Sequence, residues 1–192
     1  DASTYQDWLP SSFVKSGNSV VAQPMACSDF HVPPPATTEA GLTQITTVDL
    51  SRNDAPRGTA ILGAVDTVYS SGTAMYLAGR GYTDPWLTRQ QLHVSQTSGT
   101  AEGADAGAAT AAPITMEWTH LHKFDLTTDP AAPTYVGSGS VPGHVKDQFA
   151  LDEREGLLRI TTTEQRFDPQ ASWSSTNSSV NHLFVVENLQ GT

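Results

Sequence analysis

The chain has 192 residues, which fits one domain, and 16% charged against 38% hydrophobic residues predicts a folded chain rather than a disordered one. Ten Lys and Arg against 20 Asp and Glu give a net charge of −10, which argues against nucleic acid and anionic membrane surfaces as partners. No apolar run approaches the ~20 residues that a membrane span needs.

The single cysteine, Cys27, closes no disulfide within the chain; it is idle or pairs with another chain. Few Lys, abundant Ser, Thr and Gly, and an acidic balance predict a secreted or cell-surface protein. Asp1-Ala2-Ser3-Thr4 lacks the charged start and apolar core of a signal peptide, so for an exported chain residue 1 follows a cleavage.

Residues 1–40 read as an irregular N-terminal segment, with Pro33-Pro34-Pro35 a stiff extended stretch. From residue 41 to 192 the texture changes. Short runs rich in Thr, Val, Ile, Leu and aromatics alternate with Gly, Pro, Asp and Ser clusters, as in strands and turns. Strands are predicted at about 43–50, 58–63, 66–70, 75–80, 115–126, 133–137, 146–151, 157–163 and 181–188. Ser70-Ser71-Gly72-Thr73 and Asp152-Glu153-Arg154-Glu155-Gly156 read as hairpin turns. Asp84-Pro85-Trp86 resembles a helix start or one turn in a loop. Residues 95–113, mostly Ser, Gly, Ala and Thr, read as a flexible insertion.

Self-similarity organises these elements. Thr43–Leu50 and Thr119–Leu126 are apolar strands ending in Asp-Leu. Each is followed by a polar turn, a proline (Pro56, Pro133), a short strand ending in Gly, and a hairpin. A third copy opens at His182–Leu189, with Asn188 in the Asp place. Asp49 to Asp125 is a period of 76 residues and Asp125 to Asn188 one of 63, against roughly 40–50 for a propeller blade. The insertion and the polar stretch 165–179 account for the excess. One strand, a turn, one strand and a hairpin supply the content of a four-stranded antiparallel blade. The predicted fold is therefore all-β: a partial β-propeller of about two blades plus the opening strand of a third. The alternative is a β-sandwich with long loops. Propellers close with about four to eight blades, so the chain is expected to be a piece of a larger protein. The remainder of the same propeller, as a second polypeptide or as chain outside this sequence, is its expected partner.

Particular segments carry a family resemblance. Asp147-Gln148-Phe149-Ala150-Leu151-Asp152-Glu153, then Gly156, then Leu158-Arg159-Ile160-Thr161-Thr162, resembles a "QFSMDE…G.LRVATT" hairpin. Thr119–Leu126 resembles a "T.IHKFD" strand, Asn181–Val186 an "N.LYVLD" strand, and Cys27-Ser28-Asp29-Phe30 an early segment. These patterns belong to a family of secreted bacterial and archaeal β-propeller domains distantly related to WD-40 repeats. The resemblance covers most of 40–190 and is most specific in 119–162. It implies a propeller fold and an exported location, and no established reaction, so no catalytic residue is carried over.

Several constellations carry candidate chemistry. His120 and His122 lie at i and i+2 on a predicted strand and face one way, so a third ligand would let them hold a transition metal. Asp152, Glu153 and Glu155 cluster in one turn and offer oxygens to Ca²⁺, although the spaced acidic pattern of a dedicated Ca²⁺ loop is missing. The same turn reads equally as a solvated hairpin tip, with Glu153 and Arg159 paired across it to fix register. Asp49 and Asp125 read as turn residues whose carboxylates accept backbone N–H groups two residues on. There is no Gly-x-Ser-x-Gly elbow, phosphate loop or dinucleotide fingerprint. No cofactor is expected beyond those two possible ions.

The expected function is that of an exported, non-catalytic propeller segment, a scaffold or recognition surface for a protein or glycan ligand. The alternatives are a non-catalytic part of a hydrolase or protease whose active residues lie elsewhere, and a metal-binding propeller using His120 and His122.

Overall fold

The computed structural model describes residues 4, 7, 9–32, 41–51, 56–82, 114–167 and 177–187. The insertion at 95–113 and Asp84-Pro85-Trp86 lie outside them. Strands β1 (Ser11–Ser16) and β2 (Ser19–Pro24) form a separate hairpin. Strands β3 (Phe30–His31), β4 (Leu42–Thr47) and β5 (Arg57–Leu62) form the first sheet, in the order β3-β5-β4. Strands β6 (Thr67–Ser70), β7 (Ala74–Tyr82), β9 (Glu117–Asp125) and β10 (Thr134–Pro142) form the second, in the order β6-β7-β9-β10. Strands β11 (Leu151–Arg154), β12 (Leu157–Phe167) and β13 (Asn177–Val186) form the third; the short β8 (Ile114–Thr115) pairs with the end of β12.

The second sheet is a complete four-stranded antiparallel blade, and its composition revises the repeat unit. The sequence unit of strand, turn, strand and hairpin is split between two sheets. Each sheet takes the hairpin of one unit and the strand pair of the next, so β6–β7 pair with β9–β10, and β11–β12 with β13. The split follows from antiparallel pairing: β7 zips along the whole of β9, from Ala74 opposite Asp125 to Tyr82 opposite Glu117.

Three local expectations are corrected. Residues 1–40 are not uniformly irregular, because the β1–β2 hairpin lies there; it turns through Gly17 at φ 60° and Asn18. Its alternation escaped notice because every residue of β2 is exposed. The strand expected at 146–151 is instead a 3₁₀ turn at Gln148–Ala150 followed by β11, since the Asp147 carboxylate accepts the Phe149 N–H at 2.9 Å and curls the chain. In the third copy the facing of side chains shifts the register by one. Met75 pairs with Phe124 and Leu158 with Val186, and Met75 and Leu158 both look back at the preceding sheet. Glu187, not Asn188, therefore stands in the place of Asp125.

The sheets stack face to face. Ile61 of the first sheet meets Leu77 and Phe124 of the second, with Ile45, Met75 and Tyr135 packed around them. On the other face of the second sheet, Ala74, Tyr76, Ala78 and Leu121 meet Leu151, Leu158 and Ile160 of the third. Alternation along β7 and β9 thus sends apolar side chains to both faces, and both are covered.

Two glycines permit the close approach. A Cβ on Gly79 would lie 2.2 Å from the Ala64 carbonyl oxygen, in the link from the first sheet to the second. Gly143 has φ 86°, and a Cβ there would meet the Thr163 backbone at 2.7 Å, where the chain crosses to the third sheet. We expect Gly143→Ala to cost on the order of 2–4 kcal/mol, from left-handed strain plus a backbone clash. A urea unfolding midpoint unchanged from wild type would contradict this.

Candidate functional site

The His pair sits inside the stack. His120 and His122 do share a face of β9, the face turned toward the first sheet, and both are buried. The Nδ1 of His120 lies 2.6 Å from Ser140 Oγ, and the Nδ1 of His122 lies 3.3 Å from the Tyr135 hydroxyl. His31 of β3 stacks on Tyr135 with ring centroids 4.2 Å apart. Burial holds His122 down to about 4, helped by nearby His120 and His31, so its imidazole is neutral at pH 7. Among the described residues, no group of three or more His, Cys, Asp or Glu is placed to hold a metal ion.

The three carboxylates of the β11–β12 turn diverge. Glu153 reaches back to the second sheet, where it accepts hydrogen bonds from Ser71 Oγ and, at 3.3 Å, from Thr73 Oγ1; its own N–H donates to the Tyr69 hydroxyl at 2.9 Å. Burial and then Glu153 push the Tyr76 phenol up. Asp152 turns the other way and pairs with Arg159. That corrects the expected Glu153–Arg159 pair: Asp152 is opposite Arg159 in register, whereas Glu153 is opposite Leu158. Glu155 stands exposed at the tip with φ 56°, 3.6 Å from Arg154.

Asp49 and Asp125 organise equivalent turns. The Asp49 carboxylate accepts the Ser51 N–H at 2.8 Å and the Ser51 hydroxyl at 2.6 Å. Asp125 accepts the Thr127 hydroxyl at 2.9 Å and the Thr128 hydroxyl at 3.4 Å, and the Thr127 bond is the chief reason its acidity is raised. Cys27 is exposed, in a 3₁₀ turn.

Sequence reasoning missed two acid–imidazole pairs where the second and third sheets meet. His144 Nδ1 lies 2.6 Å from Glu117 Oε2, and His182 Nε2 lies 2.6 Å from Glu164 Oε2. Glu164 is 1% exposed. Burial alone would raise its pKa, but hydrogen bonds from Arg166, Thr115 and His182 bring it down to about 2, so it is ionised. These partners sit far apart in sequence, and no local motif signals them. None of the four paired residues lines either cleft described next.

Among the described residues, two clefts bear on the site. One, of about 540 Å³, lies between the β1–β2 hairpin and the β4–β5 strands; Arg57, Gln44, Asp29 and the His31–Tyr135 stack supply its polar and aromatic lining. The other, of about 460 Å³, is a groove between β9–β10 of the second sheet and β13, lined by Leu121, Val141, Phe184 and Val186. It follows the side of β13 away from β12. At the corresponding place in the first sheet, strand β5, on the far side of β4, fills the space, with Ala60 and Ile61 wholly buried.

The second sheet, a hairpin and the strand pair that follows it, is a four-stranded antiparallel blade, and the sheets stacked on its two faces carry parts of the same pattern, as in a run of propeller blades. The chain matches the family model of the beta propeller domain over residues 1–192, and it belongs to that family. No curated protein and no solved structure matches it.

The neutral, buried His122 carries a pH consequence. Its pKa is depressed in the fold, so the stability it brings is complete above pH 6.5 and is lost as pH falls from 6.5 toward 4. We expect wild-type stability to drop by on the order of 3 kcal/mol across that window. His122→Phe should flatten the drop, as read from urea midpoints at pH 7, 5.5 and 4. Equal pH slopes for the two proteins would contradict the assignment.

Proposed function

We propose that this chain is part of an exported, non-catalytic β-propeller that works as a rigid scaffold and recognition surface, with the remainder of the same propeller as its partner. One observation carries the reading. Leu183 and Val185 of β13 are 66% and 60% exposed, on the face of the third sheet that points away from the second. On the corresponding face of the second sheet, Ala74, Tyr76 and Leu121 are 1%, 4% and 5% exposed, because the third sheet covers them. A further sheet packed on Leu183 and Val185 repeats that contact, and a strand laid in the groove beside β13 repeats the seat of β5. Adjacent exposed apolar residues of this kind mark an interaction surface.

The acidic, Lys-poor composition supports export. Recognition is assigned to the β3–β5 side of the first sheet, where a stacked His31–Tyr135 pair, Arg57 and Asp29 offer aromatic and charged contacts to a protein or glycan ligand. Rigid sheets with variable connections are suited to such a role.

Sedimentation of the 192-residue chain tests the uncovered face. Self-association should rise with concentration and disappear in Leu183→Lys/Val185→Lys. A wild-type chain that stays monomeric and folds cooperatively at every concentration would overturn the reading.

A further inference from the structure

The second and third sheets each begin with a hairpin and continue with the strand or strand pair that follows it in the chain. The first sheet has the strand pair β4–β5, and a hairpin, β1–β2, precedes it, yet among the described residues β4 pairs with β5 alone. We infer that the β1–β2 hairpin is the inner half of the first sheet, and that it seats on the free edge of β4 to complete a four-stranded blade in the order β1-β2-β4-β5. The inference rests on the blade pattern and concerns the opposite end of the stack from β13.

The seat is marked on the second sheet. Val68 of β6 is 49% exposed and faces the first sheet. Its counterpart one sheet on, Leu151 of β11, is 4% exposed, because the inner hairpin β6–β7 lies over it. Val68 therefore lacks the cover that a complete first sheet would give.

The hairpin fits the seat in register. The β1–β2 and β11–β12 turns both leave two residues between their last paired positions, Ser16–Ser19 and Arg154–Leu157. Aligning the turns places Val20 with Leu158 and Met75, and so predicts Val20 opposite Val48, Val21 opposite Thr47, Ala22 opposite Thr46 and Pro24 opposite Gln44. Val14 and Val21 are directly opposed in the hairpin, so they share a face. In this register that face looks onto the second sheet and lays both valines over Val68. Val20 and Val21 are exposed where they now stand.

The connecting chain reaches. Phe30 and Gln44 both stand opposite Ala60, so Pro24, Gln44, Ala60 and Phe30 would fall on one line across the sheet. Three strand spacings make that crossing about 14 Å. The chain from Pro24 to Phe30 passes through residues 25–29 and spans about 20 Å once the 3₁₀ turn at Cys27–Asp29 opens into extended chain. The hairpin can therefore take the seat without releasing β3 from β5. It now stands across the cleft, its base closed by the Met25 N–H donating to the Pro10 carbonyl at 2.8 Å.

The test is a register-specific disulfide. In a Cys27→Ser background, Ala22→Cys/Thr46→Cys puts two thiols directly opposite one another, while the control Ala22→Cys/Thr47→Cys puts them on opposite faces. On mild oxidation of dilute protein, the first pair should close within one chain, as read by non-reducing mass mapping, and the control should stay reduced. Free thiols in the first pair, equal closure in both, or a bond between two chains would overturn the inference. Amide exchange provides a readout on unmodified protein: residues 42–48 should exchange roughly tenfold faster in Val14→Asp/Val21→Asp than in wild type. Equal rates would also overturn it.

Discussion

Burial of one sheet from both sides is the constraint on which the rest of this structure depends. Strands β7 and β9 carry apolar side chains on both faces, and neither face can be left in water. Leu77 and Phe124 are covered by the first sheet, Tyr76 and Leu121 by the third. Each such side chain is worth about 1.5–3 kcal/mol when fully buried. The stack is thus held at its middle, and the outer sheets are ordered because the middle sheet needs them. Gly79 and Gly143 follow from the same demand, since sheets packed this closely bring backbone against backbone where the chain passes between them.

Polar contacts fix the rotation of one sheet on the next, which apolar packing alone leaves loose. Glu153 ties β11 to the β6–β7 turn. Thr119 and Thr162 donate to the carbonyls of Gly143 and Pro142, both at 2.6 Å, and hold the crossover between the second and third sheets. Within the third sheet, Glu164 of β12 gathers Thr115 of β8, Arg166 of β12 and His182 of β13 at the same end. A carboxylate this deeply buried persists because each contact to it is a hydrogen bond or an ion pair.

Much of the fold was legible in the sequence because its signals are local. Alternating Val, Ile and Thr runs, the glycine near each hairpin return and the Asp-Leu strand ends all lie within a few residues of one another. The repeat likewise exposed the blade content. What stayed hidden was relational. The sequence unit and the sheet are offset by half, which only strand pairing reveals. The one-residue shift in the third copy depends on which face of β13 meets the second sheet. Hairpin β1–β2 carries no continuous buried stripe to read: every residue of β2 is exposed, and in β1 Ser12 and Val14 are half-buried while the rest are exposed. At the candidate sites, the spacing of His120 and His122 correctly gave a shared face, but Tyr135 and His31 arrive from other strands. The acids of the β11–β12 turn were adjacent in sequence, yet strand alternation sends Asp152 and Glu153 to opposite faces.

Among the described residues, the second sheet is a finished blade, and the third leaves uncovered the face of Leu183 and Val185 and the edge of β13. Amide hydrogen exchange, residue by residue on dilute protein, tests it most directly. The account predicts that β7 and β9 exchange only through global unfolding, while alternate amides of β13, those pointing away from β12, exchange far faster through local opening. Uniform protection across β7, β9 and β13 would contradict it and show that the third sheet is already complete.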